Sequence, residues 1–464
     1  MKKILLIASI LILGLKSFSQ ESLANVDILI EDLLKKTQVA GISISVSKQG
    51  NLIYSQGFGF SDVKNKTEMA PTSRIRTASL AKVITATALG KLATDGKLDF
   101  DTPLKEYITF LKEPYASLTT RQIAGHTAGV QHRPASKKTK NKHFVEVKET
   151  LSFFEGTTLL FEPGTDYKYS SLGYNLLSIL IEEVSGKRYT DFMKEDIFVP
   201  LGMTQTMPDN ASVFTENDAK LYYLQGGKLK QEKKIEDGSY KLAGAGFRST
   251  SVDMVKMMNA YSNGFISKEV VKDMFKSNRL LNGEVTNVGI GWRMNKDINN
   301  ISTIEHAGNW QGARTVIIYY PDSELSISVM INTKCTLFIE ESTQIIAQYF
   351  LNKDQKQEDI GTFSKTLKII NNRSGGSIEN YTGKLEFIDT KKGALHIETD
   401  RSWLKQNNVY PLPSKNNFTL STSYGLLYLR MNLNPKLEGE LFQYQVLSDT
   451  YHMNQKPMLY IKEK

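Results

Sequence analysis

One cysteine, Cys335, is all that the 464 residues contain. An internal disulfide is therefore impossible, and no cysteine set exists to hold a metal. Cys335 follows an alternating stretch and reads as a buried apolar residue rather than a reactive thiol. Beyond the N-terminus, no apolar run reaches the ~20 residues of a membrane-spanning helix. No Gly-x-Ser-x-Gly elbow occurs, which argues against an α/β-hydrolase nucleophile. No internal repeat is visible. No nucleic-acid-binding motif accompanies the formal net charge of +9. The lysines are spread along the whole chain, with only short runs such as Lys137–Lys138, and this is the pattern of a solvated surface.

What is present is an ordinary globular composition, 40% hydrophobic and 23% charged, in a chain long enough for two domains. Lys2 and Lys3 precede an apolar stretch from Ile4 to Leu15, then Ser17-Phe18-Ser19 before Gln20. That order of basic, short apolar and small residues predicts a signal peptide over residues 1–19. The expected mature protein is exported, periplasmic or secreted, without stable membrane insertion.

Val26 to Lys36 has helical periodicity. Gly41 to Ser47 alternates, with Ile42, Ile44 and Val46 on one face and Ser43, Ser45 and Ser47 on the other. A turn at Lys48-Gln49-Gly50-Asn51 and a strand from Leu52 to Ser55 complete a hairpin. From Ser79 to Met258 the pattern is mainly helical. Thr315–Tyr320 and Leu325–Ile331 form a second hairpin, followed by a helix over Leu337–Leu351. Strands at both ends with helices between predict an α+β fold, an antiparallel sheet with an inserted helical region. After a polar linker, Lys353 to Glu358, short β segments run to the end: Lys384–Ile388, Ala394–Glu398, Asn417–Ser421, Leu426–Met431 and Leu441–Leu447. They predict a small all-β domain over 356–464, sandwich or barrel. His396 and His452 have no evident chemical partners within it.

Ser79-Leu80-Ala81-Lys82 is the chemical centre. A Ser-x-x-Lys match arises by chance on the order of twice in such a chain, and Ser45/Lys48, Ser61/Lys64 and Ser402/Lys405 are three more. Only Ser79 opens a helix, Leu80 to Thr94, which stops at Asp95-Gly96. Residues three apart on a helix share a face, so the Lys82 amine can reach the Ser79 hydroxyl. A serine hydroxyl needs a base to become a nucleophile; Lys82 serves if desolvation or nearby positive charge lowers its pKa. The helix N-terminus adds backbone N–H groups for a developing oxyanion. The same four residues also suit a plain N-cap serine followed by a surface lysine.

Tyr169-Ser170-Ser171 lies on a loop before a second helix, where a tyrosine can shuttle protons between nucleophile and leaving group or simply pack as an aromatic. His306-Ala307-Gly308-Asn309 precedes the second hairpin. Gly308 there permits close backbone approach, and the Asn309 N–H would join that of Ser79 as an oxyanion hole. His306 itself reads equally as a solvent-facing loop residue.

The run RTASLAKVITATALGKLATDGKLD (76–99) resembles the first active-site motif of the serine β-lactamase-like and penicillin-binding protein superfamily. LTTRQIAGHTAGV (118–130), FEPGTDYKYSSLGYNLLSILIEEVSG (161–186), LAGAGFRSTSVDMVKMMNA (242–260) and EHAGNWQGARTVIIYYPDSELSISVMIN (305–332) resemble its later motifs, in order. Within that group the chain is similar to the LACTB-like proteins, regarded as serine peptidases. The resemblance covers about residues 25–350. It implies a β-lactamase/transpeptidase-like hydrolase domain over 20–353, with no metal and no cofactor. Ser79 would be the acylated nucleophile, Lys82 its base and Tyr169 the proton shuttle. His306 takes the position of a lysine or histidine in the group, and His126 braces the site. Ser171 stands where class C β-lactamases have asparagine, and His306 replaces a permanent positive charge. Both departures turn the expectation away from antibiotic hydrolysis and toward peptides, with small esters as the alternative, weak β-lactam cleavage behind them, and an acylated sensor as the non-enzyme reading. Small-molecule or peptide substrates are the expected partners; oligomeric state is not specified.

Overall fold

In the computed structural model the alternating segment at Gly41–Lys48 is strand β1, and each strand the sequence pattern suggested around it is longer than its apolar core. Residues 23–134 and 142–351 are described, together with 363–371, 380–387, 392–397, 405–413, 417–432, 438–442, 445–446, 453–454 and 457–463. The leader at 1–19, Lys137–Lys138, the linker Lys353–Glu358, Ser402 and His452 lie outside the described residues. Among the described residues no helix is long and apolar enough to cross a membrane. By contacts the chain divides into two compact units, one holding residues 39–335 and 446–453, the other holding the residues before 39 together with 336–445 and 454–464.

The strands of the first unit are β1 (Gly41–Lys48), β2 (Asn51–Asp62), β3 (Thr67–Glu68), β4 (Ile75–Arg76), β5 (Met207–Pro208), β6 (Tyr222–Gln225), β7 (Lys228–Gln231), β8 (Phe247–Ser249), β9 (Arg293–Lys296), β10 (Ser302–Trp310), β11 (Ala313–Tyr320), β12 (Leu325–Ile331) and β13 (Thr333–Lys334). Seven form one sheet in the order β3-β2-β1-β12-β11-β10-β9. The two expected hairpins thus sit side by side, with β1 antiparallel to β12 and Ile44 opposite Val329. Both faces of β1 are buried. Its serine face is no solvent face. Ser43 and Ser45 each lie 2.8 Å from the hydroxyl of Ser251, on the helix Ser251–Met258, so short hydroxyls satisfy one another where a helix covers the sheet.

The inserted region is helical but not only so. The short strands β4, β8 and β5 form a three-stranded sheet that the helical reading missed, because two- and three-residue strands carry no periodicity. Its centre is helix Ala81–Thr94, whose first ten residues and Leu92 are all buried. Apolar residues around the full circumference suit a helix packed on every side. Its two buried threonine hydroxyls are satisfied, Thr85 by Ala81 O and Ala243 O, Thr87 by Val83 O.

In the second unit an eight-stranded barrel closes, running 363–371, 380–387, 393–397, 406–411, 417–422, 425–432, 438–442 and 457–463, with the last pairing back on the first. Of the two architectures considered for the tail, the barrel is found. The strands at Phe363–Asn371, Gln406–Pro411 and Pro457–Glu463 were not evident in the sequence. His396 is exposed on its strand. Cys335, expected buried, is only partly so, because it follows the two-residue strand β13 rather than lying within a buried one.

Candidate active site

Chain direction at Ser79 is set by an unusual residue. Ala78 has φ of +47°, a left-handed conformation that costs a non-glycine residue on the order of 1–3 kcal/mol. It is held from both sides. Thr77 N–H donates to Phe247 O on β8 at 2.9 Å, and the Thr315 hydroxyl on β11 donates to Thr77 O at 2.8 Å. The sharp turn delivers Ser79, in the 3-10 turn Ala78–Leu80, to the mouth of the buried helix.

Lys82, one turn on, is completely buried. Its Nζ lies 3.4 Å from Ser79 Oγ and donates to Ser171 Oγ at 2.9 Å and to Gly244 O at 2.8 Å. The rings of Tyr169 and Tyr174 lie 4.7 and 5.3 Å from it. All these neighbours are neutral; among the described residues no carboxylate forms an ion pair with Lys82. Burial, with the Arg293 charge adding to it, holds the amine well below its ordinary 10.5. A neutral amine has two N–H donors and one lone pair. The donors are taken by Ser171 and Gly244, which leaves the lone pair for the Ser79 hydroxyl.

The loop carrying Tyr169 and Ser171 is fastened by two histidines. Ser170 N–H donates to His126 Nδ1 at 3.3 Å, and Ser171 N–H donates to His132 Nδ1 at 3.2 Å. Accepting at Nδ1 requires a neutral ring. Burial first, with the Arg293 charge adding to it, keeps His126 well below 6.5. Ser170 Oγ accepts from Gly173 N–H at 2.9 Å, closing the start of helix Gly173–Ser185. Tyr169 is half-buried, its ring centroid 4.5 Å from that of His126, 5.6 Å from His132 and 6.3 Å from His306.

His306 departs from the loop position read in the sequence. It lies inside β10, opposite Ile317, and is 1% exposed. β10 begins at Ser302, well before the hairpin strand that starts near Thr315, and β9 pairs with its first half. Consequently β10 is not an edge strand. His306 Nδ1 stands 2.8 Å from Ala307 O; a carbonyl only accepts, so Nδ1 carries the proton and Nε2 the lone pair. Burial, then the Arg293 charge, keeps the ring well below 6.5 and uncharged at neutral pH.

Gly308 brings β10 against the nucleophile. A Cβ there would stand 2.6 Å from Thr77 O and 2.9 Å from Ser79 N, so only glycine lets the two backbones meet. Asn309 follows, exposed and paired with Arg314. Thus Ser79, Lys82, Tyr169, Ser171, His126, His306 and Gly308 gather in one place. Three contributors went unread: His132, Arg293 and Gly244. Only Gly244 had a signal, since it lies in the quoted 242–260 run; a Cβ on it would come 2.7 Å from Ser171 O.

An antiparallel sheet with an inserted helical region, and a fully buried lysine beside a serine hydroxyl and a tyrosine ring, define a serine hydrolase of the β-lactamase and penicillin-binding type. A sequence model of the Beta-lactamase family matches residues 26–347, and the chain belongs to that family. It is 26% identical over 400 residues to penicillin-binding protein 4* of Bacillus subtilis (strain 168), covering 80% of this chain and 86% of that one. To the human mitochondrial serine beta-lactamase-like protein LACTB it is 29% identical over 294 residues, covering 48% of this chain and 54% of LACTB; the chain thus spans about half the length of that relative. In fold it is similar to D-amino acid amidase from Ochrobactrum anthropi SV3, with TM-score 0.60 and 22% identity over 68% of this chain and 92% of the amidase. The octameric penicillin-binding protein homologue from Pyrococcus abyssi gives TM-score 0.59 and 20% identity over 95% of this chain and 100% of that one.

Proposed function

We propose that the protein is an exported peptidase that forms an acyl-enzyme on Ser79 and cleaves amide bonds in peptides, D-amino-acid-containing or other. The observation that carries the reading is the placement of Lys82, fully buried, with no carboxylate paired to it among the described residues and 3.4 Å from the serine hydroxyl, where burial holds its pKa well below 10.5. In this reading Lys82 takes the hydroxyl proton as Ser79 Oγ attacks the carbonyl carbon. The N–H groups of Ser79 and Asn309 receive the oxyanion. As the tetrahedral intermediate collapses, the C–N bond breaks, and Tyr169 passes the proton held at Lys82 to the leaving amine. His306 Nε2 accepts a hydrogen bond and orients the relay. Water then hydrolyses the ester by the same route in reverse, returning Ser79. Export rests on the leader-like residues 1–19, and the hydrolase and C-terminal domain limits at 20–353 and 356–464 belong to the same proposal.

Two observations favour peptides over β-lactams. Ser171 is occupied by Lys82, so it is poorly placed to grip an acylamide side chain. His306 offers no positive charge where a penicillin carboxylate would need one. The protein should therefore take up a fluorophosphonate at Ser79 rapidly, a fluorescent penicillin slowly, and release amines from a D-alanyl peptide panel, followed by mass spectrometry of the Ser79 peptide and product analysis. Turnover confined to p-nitrophenyl esters would install the esterase reading instead. A stable adduct without turnover would mark a sensor, and no adduct would sink the reading.

Tyr169→Phe removes one oxygen and keeps the ring packed on His126. It should cost about 10²-fold or more in kcat on amide substrates and distinctly less on p-nitrophenyl esters, whose leaving group needs no proton. Equal loss on both would remove Tyr169 from the proton relay.

A further inference from the structure

Strand β10 carries His306, Gly308 and Trp310 on one face, since side chains two apart along a strand point the same way. His306 faces Tyr169 and Gly308 meets Ser79. Trp310 therefore stands about 7 Å beyond Gly308, on the side away from the leaving-group tyrosine, where the acyl part of a substrate would extend.

Over Trp310 lies Lys241. Its Nζ is 3.6 Å from the indole centroid and 5.2 Å from that of Tyr240. Lys241 ends the turn Ser239–Lys241 and is three residues before Gly244, the residue that holds Lys82. The neighbouring polar groups are already committed. Arg76, 4.1 Å from the same indole, pairs with Asp209 at 2.7 Å. Glu236 accepts from Trp310 Nε1 at 3.2 Å. Gln311 accepts from Glu236 N–H at 2.8 Å and donates to Lys234 O at 2.6 Å, fixing this loop to the hairpin turn. The Lys241 side chain, among the described residues, makes ring contacts but no hydrogen bond and no ion pair. Aromatic faces compensate a desolvated amine only partly. Its N–H donors are left for a ligand.

We propose that Lys241 is the anion-binding residue of the substrate site, taking a carboxylate on the acyl side of the substrate a few bonds from the carbonyl that Ser79 attacks. This rests on the acyl-enzyme reading above. Burial lowers the amine well below 10.5; Glu236 opposes that shift, and the Arg76 and Arg133 charges add to it. A carboxylate bound against the amine favours its charged form.

The test uses two p-nitrophenyl esters of equal length, glutaryl (carboxylate-ended) and pentanoyl, with the burst of p-nitrophenolate as the readout of Ser79 acylation. The wild type should favour the glutaryl ester, mainly through KM. In Lys241→Met the glutaryl-to-pentanoyl ratio of kcat/KM should fall by about tenfold or more, and Lys241→Arg should recover much of it. An unchanged ratio in Lys241→Met, or no preference in the wild type, would overturn the assignment. So would a protein that takes up fluorophosphonate but neither ester. Failure of the fluorophosphonate adduct itself would instead strike the hydrolase reading, and the two failures are read separately.

Discussion

Ser79→Ala is expected to give no covalent adduct, and Lys82→Met to slow acylation by about 10²–10⁴-fold, the range for loss of a positioned general base, without lowering thermal stability. The second half of that expectation is the unusual one. Removing this lysine strands no counterion, since the neighbours are Ser171, Gly244 and two aromatic rings, and the cost of leaving Gly244 O without its donor is set against the relief of a buried, desolvated amine. Burial depresses the folded-state pKa below the unfolded 10.5, so the unfolded chain binds more protons between those two values. Stability contributed through this group therefore rises with pH across that window and is lowest below the folded pKa. Methionine removes the drag, so the variant should equal or exceed wild type in melting temperature, with a flatter pH dependence. Activity runs the same way for a different reason: acylation needs the free amine, so the rate falls as pH drops through the folded pKa. That acidic limb should be missing from the residual activity of Lys82→Met. Lys82→Arg should be no better than methionine, because a guanidinium does not give up its proton. Near-normal rates in either variant would remove Lys82 from the chemistry.

Asp209→Ala is expected to destabilise the protein by about 3–5 kcal/mol, the usual consequence of leaving buried charge uncompensated. Asp209 is fully enclosed and pairs with Arg76 and Arg248, each at 2.7 Å, both arginines almost wholly buried. Arg248 continues to Asp218 at 3.2 Å, and Asp218 to Arg74 at 2.9 Å. Alternating charges thus staple β4, β8 and the segment leaving β5. Since β4 runs directly into the Ser79 turn and Phe247 on β8 holds Thr77, loosening this staple should also lower kcat in the molecules that stay folded. The two effects separate by urea denaturation and active-site titration with fluorophosphonate. A loss below about 1 kcal/mol would mean that water or local rearrangement solvates the stranded arginines.

What was legible in the sequence was whatever had a period or a stop signal. The alternation at Gly41–Ser47 and the hairpin Thr315–Ile331 each bury a repeating apolar pattern, and the helix after Ser79, buried on every side, was marked by its Asp95-Gly96 stop; together they define the α+β class. The Ser79–Lys82 spacing was readable because a helix turns residues three apart onto one face. His132 and Arg293 were not. Each joins the cluster across tertiary space, one through a loop hydrogen bond to Ser171 N–H and one through its charge on Lys82 and His306, and neither leaves a spacing to detect. The two readings left open for His306 have the same origin. Whether it lies on a loop or in a strand depends on β9 pairing, a non-local event.

Gly308 has a consequence for how such a site can change. The wall that faces the nucleophile is built from main chain alone, because any side chain there would collide with Thr77 and Ser79. Mutation cannot decorate it, so selection for a new substrate has no purchase at the point of bond cleavage. Diversity must enter at the rim, through positions such as Arg133, Glu236, Lys241 and Trp310. A library confined to those residues should yield altered selectivity with the reaction intact, whereas one spread over 77–79 and 307–309 should yield mostly dead protein.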